Sequence, residues 1–594
     1  MNLVIEHRIV VASPETHLAE VEVTVRADGD AALPSPLTLF MPVWTPGSYL
    51  VREYARHVEG MSAEAPARVL KVRKNAWLVE PQDGARRVTL RYRVYCNELT
   101  VRTSHIDDTH AFFNGAALFL AVEGHEDSPS RVTITAPTGW KVATALEAAR
   151  SREQAAPGMA FEAPSLDVLV DSPIEIGTHR EERFEVLGKP HRLAIWPNAA
   201  AATSDVERLI GDTKTILETE ASLFGNALPY DAYLFLLHLS PRGRGGLEHK
   251  SSSTLLASPS AFTTRDGYLD LLSLVAHEAF HLWNVKRIRP AGLTPYRYQE
   301  ENYTRLLWWF EGATSYFDWR VLRIAKLCTT TEYLEHLAAE IAYLDATHGR
   351  LVHSLEEASF DAWIKLYRPD ENSQNSSVSY YRKGELVCAL FDLEIRARSE
   401  GRASLDRVVG HLWDEYGARG VPVPEGSMGE ILAKVAGVPM DDLLDAWVRA
   451  PGEIDYAATL AKVGLAVERS SRPEAPEVSL GIRVRNEGGR AVVATAMRGG
   501  AGQRAGLDPG DEIVALGGAR IEGTSVEAAL AGKRAGDSVE ALLARDGRTL
   551  SRTVTLDPAR QDRVKLVAIP DASAAARAAF TAWLGEPHSA WGAP

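Results

Sequence analysis

The chain is poor in cysteine. Cys96, Cys328 and Cys388 stand far apart in 594 residues. An odd, sparse set offers no disulfide framework and no cysteine-based zinc site, so each reads as a small buried apolar residue. Long apolar runs are missing too. None approaches the roughly 20 residues that span a bilayer. The opening MNLVIEHRIVV sets Glu6, His7 and Arg8 where a secretory leader needs uninterrupted apolar residues. Positive charge is in deficit: 65 Lys and Arg against 79 Asp and Glu leave a formal charge of -14. A nucleic-acid binder would show a basic face instead. These absences predict a cytoplasmic protein with neither nucleic-acid nor membrane partners. The acid excess mildly suits cationic ligands such as a free amino terminus, although it serves solubility first.

What is present is enough apolar material for several cores, 45% hydrophobic and 8% aromatic residues. Texture divides the chain. Residues 1–170 read as β-rich and sandwich-like, with Val88, Leu90, Tyr92 and Val94 alternating with polar neighbours. Residues 171–467 mix strands with long helices. A capped helix runs from Thr203-Ser204-Asp205 toward Phe224, a strand covers Tyr233 to Leu239, and a helix is predicted over 269–285. Beyond Glu311 the pattern is helical, apart from a loop at 366–377. A Pro/Glu-rich linker (471–478) precedes a strand-and-glycine-turn segment over 476–560. The tail, 561–594, holds a short helix starting at Asp571 and then ends loosely. No solenoid repeat is apparent.

The most informative run is His277-Glu278-Ala279-Phe280-His281. Histidines at i and i+4 share one helix face and can reach one metal. Glu278 then stands beside the open coordination position, where it can take a proton from water. A catalytic zinc takes three protein ligands. The third is read as Glu311 in LLWWFEGATSYF, because its apolar flanks imply a buried carboxylate in need of a partner. Glu300 and Glu301 are the runners-up. Ser315, one turn after Glu311 on the same face, reads equally as a group that orients a ligand histidine and as an ordinary helix serine. Two histidines and a carboxylate suit Zn2+ best, although other divalent ions occupy such sites.

HEAFH followed by WFEGATSYF resembles the gluzincin metallopeptidases, which pair HExxH with a downstream glutamate. Gly245-Gly246-Leu247-Glu248-His249 resembles the glycine-rich exopeptidase motif of the aminopeptidase-N group, and Tyr381-Arg382-Lys383-Gly384 its Tyr-x-Lys-Gly segment. HEAFHLWNVKRIRP, MPVWTPGSYLVREY and NSSVSYYRKGEL look closer to the glycyl aminopeptidase family, which ends in a PDZ domain. The resemblance implies a thermolysin-like α+β catalytic domain with a helical half. It also implies a preference for N-terminal Gly or Ala. Two departures from the aminopeptidase-N pattern stand out: a longer gap from His281 to Glu311, and His249 where that group has Asn.

On this reading Glu278 is the general base and Tyr381 donates its phenol O–H to the oxyanion, with Tyr380 not separable from it by sequence. Gly245 and Gly246 let substrate backbone approach a strand edge, and Glu248 pairs with the substrate's α-ammonium. Lys286, Arg287 and Arg289 are read as complementing the dipole at the end of the zinc helix. SLGIRV resembles the carboxylate-binding loop of PDZ domains, with Leu480, Gly481 and Ile482 supplying N–H groups to a C-terminal peptide, and AGLDPGDEIVALGG resembles a bacterial PDZ turn and strand. The expected activity is a zinc aminopeptidase acting on peptides with a free N-terminus. The rivals are a PDZ-guided zinc endopeptidase of unfolded proteins and a non-catalytic binding protein.

Overall fold

A computed structural model describes residues 3–149, 159–472, 476–523 and 526–591. Residues 473–475 of the expected linker lie outside that set. The chain forms two compact units: Met1–Thr304 with Phe317–Leu327 and Val409–Glu425, and Arg305–Tyr316 with Cys328–Val408 and Gly426–Pro594.

The first unit begins with β-sheets around a common core. Leu3–Val10 lies parallel to Ser130–Thr135 and antiparallel to Leu18–Ala27, which pairs with Arg87–Tyr95. The register sets Val21 opposite Tyr92, Val23 opposite Leu90 and Val25 opposite Val88. All six are buried, so the alternating side chains of both strands load one face. Fully burying an aliphatic side chain of this kind contributes about 1.5–3 kcal/mol. Two smaller sheets join the same core through Leu39, Trp77, Ala111 and Phe113. Ile174–Gly177 pairs back onto His110–Phe113, which carries the β-rich region to Gly177.

A five-stranded mixed sheet follows, ordered Arg180–Val186, Lys189–Trp196, Tyr233–Leu239, Ser252–Ala257 and Gly245–Glu248. The last of these is an edge strand. Two helices accompany it: Val206–Leu223, capped by Asp205 accepting from the Arg208 N–H, and Arg265–Phe280, capped by Thr264 accepting from the Gly267 N–H. The second helix differs from the predicted 269–285. It starts one turn earlier because Thr264 provides the cap, and it ends at His281, after which the chain turns through Val285 at φ 115°.

The second unit's segments between Leu307 and Arg449 are mainly helical, and the unit closes with a small β module. Five of that module's strands run in the order Ile482–Glu487, Arg490–Ala496, Glu512–Leu516, Ser538–Arg545, Arg548–Thr555 around a core of Val493, Ile513, Leu543 and their neighbours. This is the PDZ-like fold the sequence pointed to, and the whole is a multidomain α+β protein. The terminal helix is Ala574–Leu584, capped by Ser573 rather than Asp571. It is not loose. Phe580, Trp583 and Leu584 are buried, and the Trp583 indole N–H donates to the Tyr316 hydroxyl at 3.1 Å. The predicted loop at 366–377 holds one helical turn, Ser373–Ser376. The three cysteines are buried free thiols. Among the described residues, no helix is long and apolar enough to cross a membrane.

Candidate active site

In the first unit the HEAFH run closes the helix Arg265–Phe280. His281 keeps αR dihedrals, and its N–H bonds to the His277 carbonyl at 3.3 Å, so the i, i+4 geometry survives the helix end. The two imidazoles stand 4.7 Å apart, nearly perpendicular. His281 Nδ1 lies 2.8 Å from the Asn284 carbonyl oxygen. A carbonyl only accepts, so Nδ1 carries the proton and the lone pair sits on Nε2. His277 Nδ1 likewise faces an Asp318 carboxylate oxygen at 3.0 Å. Both histidines thus have the tautomer a metal ligand needs, each with an outer partner that fixes its ring. The donor chemistry fits zinc.

Asp318 was not among the predicted residues. It belongs to the helix Gly312–Ile324 and follows Glu311 by seven residues, two turns along the same face. The outer partner of His277 is therefore Asp318, where sequence reasoning had offered Ser315. Behind the pair, Val206–Leu223 contributes Glu220. It is fully buried, and neither of its carboxyl oxygens finds a hydrogen-bond partner among the described residues. Burial, reinforced by the Asp318 carboxylate, pushes its pKa well up. A signal for it existed. Glu220 falls on the stripe of Leu209, Ile216 and Leu217 that faces the core.

The edge strand Gly245–Glu248 lies directly against this helix end. A methyl group on Gly246 would overlap the Glu278 carboxylate, and one on Gly47 would overlap that of Glu248. Glu248, Glu278 and His281 each offer a ligand-type atom within 4.8 Å of the others, and all three are buried. Arg102 donates to the Gly246 carbonyl at 3.3 Å. His249 faces Asp171 at 3.3 Å, and Lys286 pairs with the same carboxylate at 2.6 Å. Against the upward pull of burial, the Lys286 ammonium holds the Asp171 carboxyl well below its usual range. Lys286 is therefore a buried ion-pair partner rather than a cation answering the helix dipole. Arg287 donates to the Leu282 carbonyl at 2.8 Å, one residue past the helix C-cap, and to the Pro229 carbonyl, and Arg289 stacks on the Tyr296 ring. Glu300 is exposed and paired with Arg297, and Glu301 is half-buried.

In the second unit, Glu311 is 1% exposed. Its neighbour Gly312 packs on Gly384, so closely that neither position has room for a methyl group. This contact joins the start of Gly312–Ile324 to the start of Arg382–Arg398 and accounts for both glycines. It also brings Tyr381 to Glu311. Burial, and then the Glu311 carboxylate, push the Tyr381 phenol well up, so its O–H stays protonated. The Tyr367 hydroxyl lies 3.2 Å away. Tyr380 is fully buried. In the β module, Leu480, Gly481 and Ile482 line a groove of about 510 Å³ with Val484, Met497 and Val526. The strand Ile482–Glu487 is its open edge. The Gly481 N–H already donates to Ser479 Oγ at 2.9 Å.

Fold and site together define a metallopeptidase carrying a PDZ domain. Three family profiles match: the peptidase M61 N-terminal domain over residues 6–178, the M61 glycyl aminopeptidase over 270–387, and a PDZ domain over 478–556. The chain belongs to the M61 glycyl aminopeptidase family. A crystal structure of an aminopeptidase N family protein from Idiomarina loihiensis is 30% identical with a TM-score of 0.89, covering 98% of this chain and 100% of that one. An M1 zinc metallopeptidase from Deinococcus radiodurans is 15% identical with a TM-score of 0.49, covering 76% and 95%. No match is found among curated proteins.

Proposed function

We propose that this peptidase is a zinc aminopeptidase that removes small N-terminal residues, Gly and Ala foremost, from peptides. One observation carries the reading: Glu248 is fixed on an edge strand beside Glu278, with a glycine between them that lets the two elements meet. An edge strand offers N–H and C=O groups to an added peptide strand. A carboxylate held at its end measures that peptide from its ammonium.

His277, His281 and Glu311 would hold the zinc, supported by the two Nε2 lone pairs and by the burial of Glu311 two turns before Asp318. When bound, zinc acts as a Lewis acid toward the scissile carbonyl and lowers the pKa of water to about 7. Glu278 takes a proton from the attacking water and returns it to the leaving nitrogen as the C–N bond breaks. Tyr381, protonated beside Glu311, donates to the oxyanion. Glu248 binds the α-ammonium, and Gly245 and Gly246 admit the backbone. Leu480, Gly481 and Ile482 would receive the C-terminus of a separate peptide.

Gly- and Ala-p-nitroanilide should be cleaved and their N-acetyl forms should not. Chelator and Glu248→Ala should each abolish the reaction. Equal cleavage of acetylated substrates would replace this reading with an endopeptidase.

A further inference from the structure

We infer a second metal site, for a zinc-type divalent cation, formed by His110, Glu175 and His238. It shares no residue with the HEAFH site. His110 and Glu175 come from the paired strands His110–Phe113 and Ile174–Gly177, and His238 from Tyr233–Leu239 of the five-stranded sheet. The three are at most 1% exposed. One Glu175 oxygen is 2.9 Å from His110 Nδ1 and the other is 3.0 Å from His238 Nε2. Ligand-type atoms of all three lie within 4.8 Å of one another.

The donor set is two imidazoles and a carboxylate, a combination suited to zinc. Its charge balance argues for a cation. Both partners of the buried Glu175 carboxylate are imidazoles, and with these neutral the cluster carries an uncompensated negative charge in a low-dielectric interior. A divalent ion removes that cost. His110 has its outer contacts in place. His105 Nδ1 stands 2.9 Å from His110 Nε2, the second-nitrogen contact that orients a ligand histidine. The Trp196 indole stacks on the His110 ring at 3.7 Å and fixes its plane.

Three protein donors leave one position of a tetrahedral ion to a water, and the strands that supply them belong to two sheets. The ion's effect is to tie the N-terminal sheets to the five-stranded sheet that carries Gly245–Glu248.

The test is metal stoichiometry on the full chain. Metal-free protein is saturated with Zn2+, freed of excess and measured by plasma mass spectrometry, with Co2+ absorption as a second readout. Wild type should hold two equivalents. Glu175→Gln and His238→Gln should hold one and keep peptidase activity. His281→Gln, which leaves the cluster intact, should also hold one, with a tetrahedral Co2+ spectrum. If the cluster variants fail to fold, the His281→Gln protein decides alone. One equivalent in wild type with none in His281→Gln overturns the inference and leaves a hydrogen-bonded brace. One equivalent kept in His281→Gln but lost in Glu175→Gln upholds this site and removes the catalytic-zinc reading instead.

Discussion

The backbone of Gly246 lies flat against the carboxylate of Glu278, with no room between them for a methyl group. The glycine is thus required by the proposed general base as well as by an incoming peptide. Gly246→Ala should push the base off its position. A misplacement of about an ångström costs on the order of 10²-fold. The expected result is kcat down by at least about 10²-fold, with the fold and metal content intact. Gly245→Ala is the control. There an added methyl would meet nothing nearer than Arg102 Nη1 at 3.4 Å, so Glu278 keeps its place and any loss should fall on KM, through the substrate backbone, and not on kcat. Equal losses of kcat from both variants would mean that the strand as a whole, not the Glu278 contact, is being disturbed.

Asp318 fixes the His277 ring from behind. Removing such an outer partner weakens metal affinity by about 10–100-fold. Asp318→Asn should therefore lose zinc to a competing chelator at correspondingly lower chelator concentration, and Ser315→Ala should behave as wild type. The reverse pattern would return the orienting role to Ser315.

These two cases mark where the sequence was legible and where it was not. Local spacing was readable. Asp205 capped a helix ending near Phe224, and the apolar run Tyr233–Leu239 is a strand to the residue. The i, i+4 histidines sit on one helical turn because that relation is local. Helix ends were less readable where tertiary turns decide them, as at Val285, or where a rival cap wins, as Ser573 does over Asp571. Contacts between distant segments were not legible at all. Nothing near HEAFH announces Asp318 or Gly47, and Lys286 looked like a helix-end cation until Asp171 folded onto it. Glu220 was the exception, a charge on an apolar stripe that periodicity could have flagged.

The Lys286–Asp171 pair yields a stability prediction. Lys286 is 3% exposed, and Asp171 also accepts from His249 and the Lys250 N–H. Lys286→Met leaves that carboxylate buried without its cation. Breaking a buried pair from one side costs about 3–5 kcal/mol. The double variant Lys286→Met/Asp171→Leu should recover part of this loss, because no charge is stranded. Urea denaturation of wild type, Lys286→Met, Asp171→Leu and the double variant checks both signs, and additive losses in the double variant would refute the coupling.

His7 gives the pH dependence. It lies in the strand Leu3–Val10, 1% exposed, edge-on to Phe119, and neither ring nitrogen has a hydrogen-bond partner among the described residues. Burial pushes its pKa from 6.5 down to about 3. Below pH 6.5 the unfolded chain therefore binds a proton that the native state refuses. The stabilisation from a neutral His7 is full above 6.5 and is lost as pH falls toward about 3. The slope reaches about 1.4 kcal/mol per pH unit for one proton. Buried His191, lowered to about 4, contributes in the same direction. His7→Leu removes one proton from the total and keeps the apolar contact with Phe119. Urea midpoints followed from pH about 7.5 down to about 5 should thus fall more gently for His7→Leu than for wild type, the two curves diverging only on the acid side. Parallel curves would show that His7 is protonated, and so solvated, in the native protein.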